Sequence, residues 1–175
     1  WNEAQNRFQF VDRLLLECLG WEHPIVEVER RDDSGGRADY ILGSPAKGVV
    51  EAKREAVAFN FPAAPKGAKV RKLQTLVNAD TAFRDAVMQV IQYCAMHGAQ
   101  LAAVCNGPQL VVFQAIIPGH SPLVGECYVF DGFEEMVSQF PLLWNILSPE
   151  GVAENRAYRD LSLHRNPRLP QKAST

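Results

Sequence analysis

Three residues in the first third of the chain could do chemistry together: Asp39, Glu51 and Lys53. They fall in two short stretches, RADYIL at 37–42 and GVVEAK at 48–53, that read as strands joined by a loop containing Gly43, Ser44 and Pro45. The pair predicts a hairpin or meander of antiparallel strands. Side chains alternate across a strand, so Glu51 and Lys53 share a face with Val49, and Asp39 shares one with Arg37 and Ile41. If the two faces coincide, two carboxylates and an ammonium converge. Carboxylates on neighbouring strands repel unless a cation sits between them. Hard divalent ions such as Mg²⁺ take oxygen ligands and keep several waters, which leaves room for a phosphate. Such an ion lowers the pKa of a water and neutralises charge on a leaving oxygen. A lysine two residues beyond the second carboxylate can orient the water or stabilise the charged transition state. An E-x-K string alone is common by chance. Its combination with the preceding Asp strand and the downstream elements carries the reading.

Those elements follow from periodicity. Residues 3–19 read as a helix, with Phe8, Val11, Leu14, Leu15 and Cys18 at helical spacing and Gly20 as its stop. IVEVER at 25–30 reads as a strand, and DDSGG at 32–36 as a turn or loop. Residues 56–68 are rich in Ala, Pro and Gly and read as irregular. A helix over about 79–97 carries Phe83, Val87, Val90, Ile91 and Cys94 on its inner side. Strands at 101–105 and 109–116 flank a turn at Asn106-Gly107-Pro108, and a last strand at 126–130 leads into a helix near 132–146. Phe133, Phe140 and Trp144 fit a core-facing helix better than a base-stacking platform. The expected fold is α/β (α+β), a central mixed sheet flanked by helices. One domain is predicted over 1–148. The stretch 149–175, interrupted by Pro149, Gly151, Pro167 and Pro170, is expected to be an extension or linker toward a further domain. The chain begins at Trp1, so it reads as a fragment of a longer protein.

At 175 residues, 47% hydrophobic and 22% charged, the composition is that of a globular domain with a normal core. The apolar runs are too short to span a bilayer, and no signal-peptide pattern is visible. Cys18, Cys94, Cys105 and Cys127 stand alone among apolar neighbours, which predicts buried reduced thiols rather than a zinc site or disulfides. The four histidines are scattered, which argues against a His-centred site. A net charge of −2 gives no global basic field. Locally, however, Arg54, Lys66, Lys69, Arg71 and Lys72 stand against the single acid Glu55. A basic segment next to an acidic cluster suits phosphodiester chemistry, and a solvated loop is the plainer alternative. No phosphate-binding loop or nucleophile elbow occurs.

RADYIL, GVVEAKRE and QVIQY in this order resemble the PD-(D/E)XK nuclease superfamily. More narrowly, they resemble the N-terminal nuclease domain of type I restriction enzyme R subunits and related prokaryotic anti-phage defence proteins. The resemblance runs over roughly 3–116 and includes Leu19-Gly20-Trp21 and CNGPQLVVFQ. Ala38 stands where the motif's proline would be. The resemblance implies a restriction-endonuclease-like fold. It also implies Asp39 and Glu51 as metal ligands, Lys53 as the catalytic lysine, and Gln89 and Tyr93 as a Q-x-x-x-Y pair on one helical face. Gln89 joins the catalytic set and Tyr93 is expected at DNA. Of two acids on the first helix, Glu3 is favoured over Glu17 as an outer metal or water ligand, with a first-turn anion as the plainer alternative.

The expected activity is therefore Mg²⁺-dependent endonucleolytic hydrolysis of DNA, with Mn²⁺ as an alternative ion. The chain is read as the nuclease module of a larger cytoplasmic prokaryotic restriction or antiviral protein. Arg54, Lys66, Lys69, Arg71 and Lys72 are expected at phosphates, and the expected partners are DNA, further domains and a second copy, with no membrane. The rival readings are a non-cleaving nucleic-acid-binding module and a structural assembly domain.

Overall fold

The computed structural model describes residues 9–22, 25–29, 37–53, 57–64 and 69–161, with 25–29 and 37–39 described by their backbone pairing. Seven strands form one mixed sheet in the order β1-β2-β3-β5-β6-β7-β4. They are β1 (Ile25–Glu29), β2 (Arg37–Leu42), β3 (Gly48–Ala52), β4 (Val70–Lys72), β5 (Leu101–Cys105), β6 (Gln109–Gln114) and β7 (Glu126–Asp131). β1, β2 and β3 form the expected antiparallel meander. Among the described residues β3 and β5 are the one parallel pair, and the remaining neighbours are antiparallel. A parallel pair needs a long crossover. Here the crossover carries β4, α2 (Leu73–Ala79) and α3 (Thr81–His97).

Helices cover both faces, because both faces of the central strands are apolar. β3 and β5 are buried at every position. On one face Val49, Ala102, Val104, Val111 and Phe113 pack under α2 and α3 through Leu73, Leu76, Phe83, Val87, Val90 and Cys94. On the other, Tyr40, Val50, Ala52, Ala103 and Val112 pack under α1 (residues 9–18, its second half, Leu14–Cys18, wound as a π-helix). The same face is covered by α5 (Phe140–Leu147), α6 (Pro149–Ala153) and α7 (Arg156–Asp160).

Several expectations change here. β4 and α2 were not foreseen. Asp80, extended at φ −142°, separates α2 from α3, and its carboxylate accepts from Phe83 N as the N-cap of α3. The helix expected over 132–146 is two: α4 (Phe133–Ser138) and α5, which begins with Pro141 in its first turn. A proline has no N–H to continue the α4 ladder but suits the start of a new helix. Phe133 and Trp144 are 46% and 38% exposed rather than core-facing, and Phe140 is half-buried. The buried side chains of α5 are Leu143, Ile146 and Leu147. Residues 149–161 are not a linker: they fold as α6 and α7, and Val152, Ala157 and Leu161 join the core. Of the cysteines, Cys94, Cys105 and Cys127 are buried, as expected, but Cys18 is exposed. Burial pushes the Cys127 thiol up to about 12, which keeps it protonated and unreactive at neutral pH. Among the described residues no helix is long and apolar enough to cross a membrane.

The Tyr40 hydroxyl is buried under α1 and donates to Asp12 Oδ1 at 2.7 Å. Burial first, and that hydrogen bond second, raise its pKa above the ordinary 10.0. A phenol with a raised folded-state pKa contributes stability that is intact below pH 10 and is lost as pH rises beyond it. Tyr40→Phe is therefore expected to cost about 1 kcal/mol at neutral pH and to flatten the loss of stability above pH 10. The native alkaline titration of tyrosine absorbance should keep its amplitude in Tyr40→Phe. A smaller native amplitude would show that Tyr40 ionises in the fold.

Candidate functional site

Val49 and Glu51 of β3, with Lys53 just past its end, follow the face that α3 covers, as strand alternation requires. The face places Val49 in the α3 core cluster, and Glu51 next along it is fully buried. A buried carboxylate needs a counter-charge or hydrogen bonds. Lys53 supplies one: its Nζ lies 3.0 Å from Glu51 Oε1, and the Lys53 side chain is 24% exposed while that of Glu51 is 0%. The same ammonium donates to Gln89 Oε1 at 3.2 Å. Gln89 is half-buried in the middle of α3. Three of the expected residues, from a strand end and a helix that crosses it, thus meet at one ammonium.

Asp39 is the residue directly opposite Glu51 in the β2–β3 ladder. Tyr93, one turn beyond Gln89, is half-buried and stacks on His97 with ring centroids 6.3 Å apart and planes 9° from parallel. Gln89, Tyr93 and His97 therefore form a strip along α3 at spacing i, i+4, i+8. His97 had no expected role, and nothing in the sequence marked it beyond that spacing. Glu3, Arg54 and Lys66 lie outside the described residues.

The basic residues do not gather where their sequence positions suggested. Arg71 and Lys72 belong to β4 and Lys69 immediately precedes it. β4 is the far edge strand, separated from β3 by β5, β6 and β7. Four strand spacings put it about 19 Å from the Glu51–Lys53 pair. Lys69 and Lys72 are exposed, whereas Arg71 is half-buried and its guanidinium donates to Pro62 O at 2.6 Å. Arg71 is thus committed to holding the chain at Pro62.

The chain segment after Lys53 is held by side chains that sequence reasoning passed over. Asn106 is fully buried; its Nδ2 donates to Val57 O at 2.7 Å and to Gln109 Oε1 at 2.8 Å. Gln109 holds both backbone polar groups of Phe59, accepting from its N–H at 2.8 Å and donating to its carbonyl at 2.9 Å. The Asn-Gly pair was legible as a turn, but nothing marked Gln109 as the partner of a segment fifty residues away.

Among the described residues no three His, Cys, Asp or Glu side chains gather into one group. Glu51 is the cluster's described carboxylate. A carboxylate with an amide oxygen nearby is an all-oxygen donor set, which suits a hard cation such as Mg²⁺ better than a thiophilic one.

Fold and site together define an α+β protein in which a mixed sheet lies between two helical layers and carries a carboxylate–ammonium–amide cluster at one strand end. Compared with protein-family models, curated proteins and solved structures, the chain has no match.

Proposed function

We propose that the chain is a metal-dependent nuclease module of the PD-(D/E)XK kind, with a restriction-endonuclease-like fold, that hydrolyses DNA phosphodiester bonds. The observation that carries this reading is the meeting of Glu51, Lys53 and Gln89 at 3.0 and 3.2 Å. Further support comes from Asp39 facing Glu51 in the ladder, and from the order of elements: strand meander, Q-x-x-x-Y helix, then a strand-turn-strand in β5 and β6.

In this reading Glu51 and Asp39 hold Mg²⁺, or Mn²⁺ in its place, and the ion when bound supplies an activated water and charge neutralisation at phosphate. Lys53 places a positive charge beside the reacting phosphate, where charge builds in the transition state. Gln89 fixes the ammonium so that it does not have to be ordered during the reaction. Tyr93 lies on the same helical face, toward the nucleic acid. Lys69 and Lys72, about four strands away, meet a remote part of a duplex, so they add affinity without sequence information. A role in prokaryotic restriction or anti-phage defence, alongside further domains, belongs to this same proposal.

The test is plasmid cleavage with Mg²⁺, with chelator, and with Asp39→Ala. Mg²⁺-dependent nicking that chelator stops and Asp39→Ala reduces at least 100-fold is the expected result. Cleavage untouched by Asp39→Ala refutes the ligand assignment, and salt-sensitive binding without cleavage favours a non-cutting binding module.

A further inference from the structure

Lys53 is the last residue of the strand stretch, just past the end of β3, and the chain leaves the sheet there. Its backbone N–H donates to Cys105 O at 2.7 Å. Four residues later the chain comes back to the adjacent residue: Val57 O accepts from Asn106 Nδ2 at 2.7 Å. Lys53 and Val57 are thus tied to consecutive residues at the end of β5.

The tie is reinforced by two side-chain amides whose donors are all engaged. Asn106 donates to Val57 O and Gln109 Oε1, and its Oδ1 accepts from Gln109 N at 2.8 Å. Gln109 donates to Phe59 O at 2.9 Å and to Asp131 Oδ1 at 2.7 Å, while its Oε1 also accepts from Phe59 N at 2.8 Å. An amide has two donor hydrogens, so neither side chain has one to spare. Gln109 pairs with Phe59 as a neighbouring strand residue does, although residues 57–64 belong to no strand. One residue further, Asn60 N donates at 2.9 Å to Asp80 Oδ2, the carboxylate that caps α3. A single run of hydrogen bonds therefore joins the end of β5, the segment after Lys53, and the helix that presents Gln89 to the Lys53 ammonium.

We propose that Gln109 and Asn106 are positioning residues for Lys53, locking the chain on its far side so that the ammonium stays between Glu51 and Gln89. A lysine has four rotatable bonds and sits here beyond the last sheet residue, where a strand end frays unless its exit is fixed. Burial of Phe59 against Phe83, with ring centroids 5.3 Å apart, explains why the segment packs. It does not require the pair of hydrogen bonds to the Phe59 backbone. Fixing the path of the backbone does.

The proposal rests on the nuclease reading for its kinetic consequence but not for its structural one, and the test uses both. Gln109→Met keeps side-chain length while removing the amide. Gln109→Glu is the second variant: it keeps the acceptor to Phe59 N and Asn106, loses the donors to Phe59 O and Asp131, and sets a like charge beside the Asp131 carboxylate. Ile146→Val, in α5 on the opposite face of the sheet, serves as a control for general destabilisation. Two measurements are made: the kinetics (kcat and KM) of plasmid cleavage with Mg²⁺, and the rate of acetylation of Lys53 relative to exposed Lys69, read by peptide mass.

Both Gln109 variants are expected to raise Lys53 acetylation at least threefold and to lower kcat about tenfold with KM within twofold. Ile146→Val should leave both unchanged. Unchanged Lys53 acetylation in the Gln109 variants overturns the positioning role, whatever the wild-type activity. Faster acetylation in a protein that does not cleave DNA retains the positioning role and removes the nuclease reading.

Discussion

On the proposed nuclease reading, Lys53→Met should reduce Mg²⁺-dependent DNA cleavage by 100- to 1000-fold, about what removal of one preorganised charge-stabilising donor costs an enzyme. The same substitution should also destabilise the fold, because Glu51 is fully buried and the ammonium 3.0 Å away is its neighbouring cation. Breaking a buried pair from one side typically costs about 3–5 kcal/mol. Lys53 is 24% exposed, so the lower end of that range or less applies. Loss of activity alone would therefore be ambiguous, and the pair of variants resolves it. Glu51→Gln retains an oxygen facing Lys53 but no charge to hold a metal. The double variant Glu51→Gln/Lys53→Met buries no charge at all. Stability, measured by denaturant unfolding, should recover in the double variant to within about 1–2 kcal/mol of the wild type, since neutral replacement of a buried pair is often tolerated. Cleavage should not recover. Activity returning with stability would mean that the two residues serve only the fold.

The asymmetry between what the sequence disclosed and what it hid has a physical basis. Glu51 and Lys53 could be placed together because a strand repeats every two residues, which is local information. Asp39 opposite Glu51 needed only the short loop between two strands. Gln89 was placed on the correct helix, but its contact with Lys53 depends on the crossover from β3 to β5, which no local pattern contains. The basic residues show the converse error. Lys69, Arg71 and Lys72 follow Lys53 closely in sequence, yet β4 pairs with β7 at the far edge of the sheet. Three residues, VRK, are too few to show a period, so neither that strand nor its place could be read. α6 was hidden by Pro149 and Gly151, and α7 by its five-residue length, too short to show a period. Pro149 looks like a breaker but occupies the first turn of α6, where a missing N–H costs nothing. Their buried anchors, Val152, Ala157 and Leu161, are too widely spaced to look amphipathic.

Gly151→Ala should lower stability by about 2–4 kcal/mol, although composition argues for the opposite sign. A helical Gly replaced by Ala ordinarily gains up to about 1 kcal/mol, and Gly151 is not in the left-handed region that would forbid a side chain. A Cβ at this position, however, lands on the backbone carbonyl of Asn145, within α5, with Ser148 Oγ also close at 3.2 Å. That oxygen is part of the N-cap of α6, accepting from Gly151 N at 3.1 Å. Rotating a side chain away cannot relieve a clash with backbone, so α6 must shift, and overpacking of this kind costs about 1–3 kcal/mol before secondary losses. The secondary losses are specific. α6 and α7 place Val152, Ala157 and Leu161 against the sheet face that α1 and α5 also cover, and Trp21, three residues beyond α1, donates to Leu147 O at 2.9 Å just before the α5–α6 junction. For a domain of this size the net effect corresponds to a fall in Tm of roughly 5–12 °C. Ser148→Ala, which removes only the cap, should cost about 1 kcal/mol, so the difference between the two variants isolates the steric contribution. A Gly151→Ala protein as stable as the wild type would show that α5 and α6 are not in close contact. Truncation after Ser148 should be more damaging still, because it strips three buried side chains from the core. If that truncated chain unfolds with the wild-type midpoint, residues 149–161 are an appendage, and the boundary suggested by their composition is the physical one.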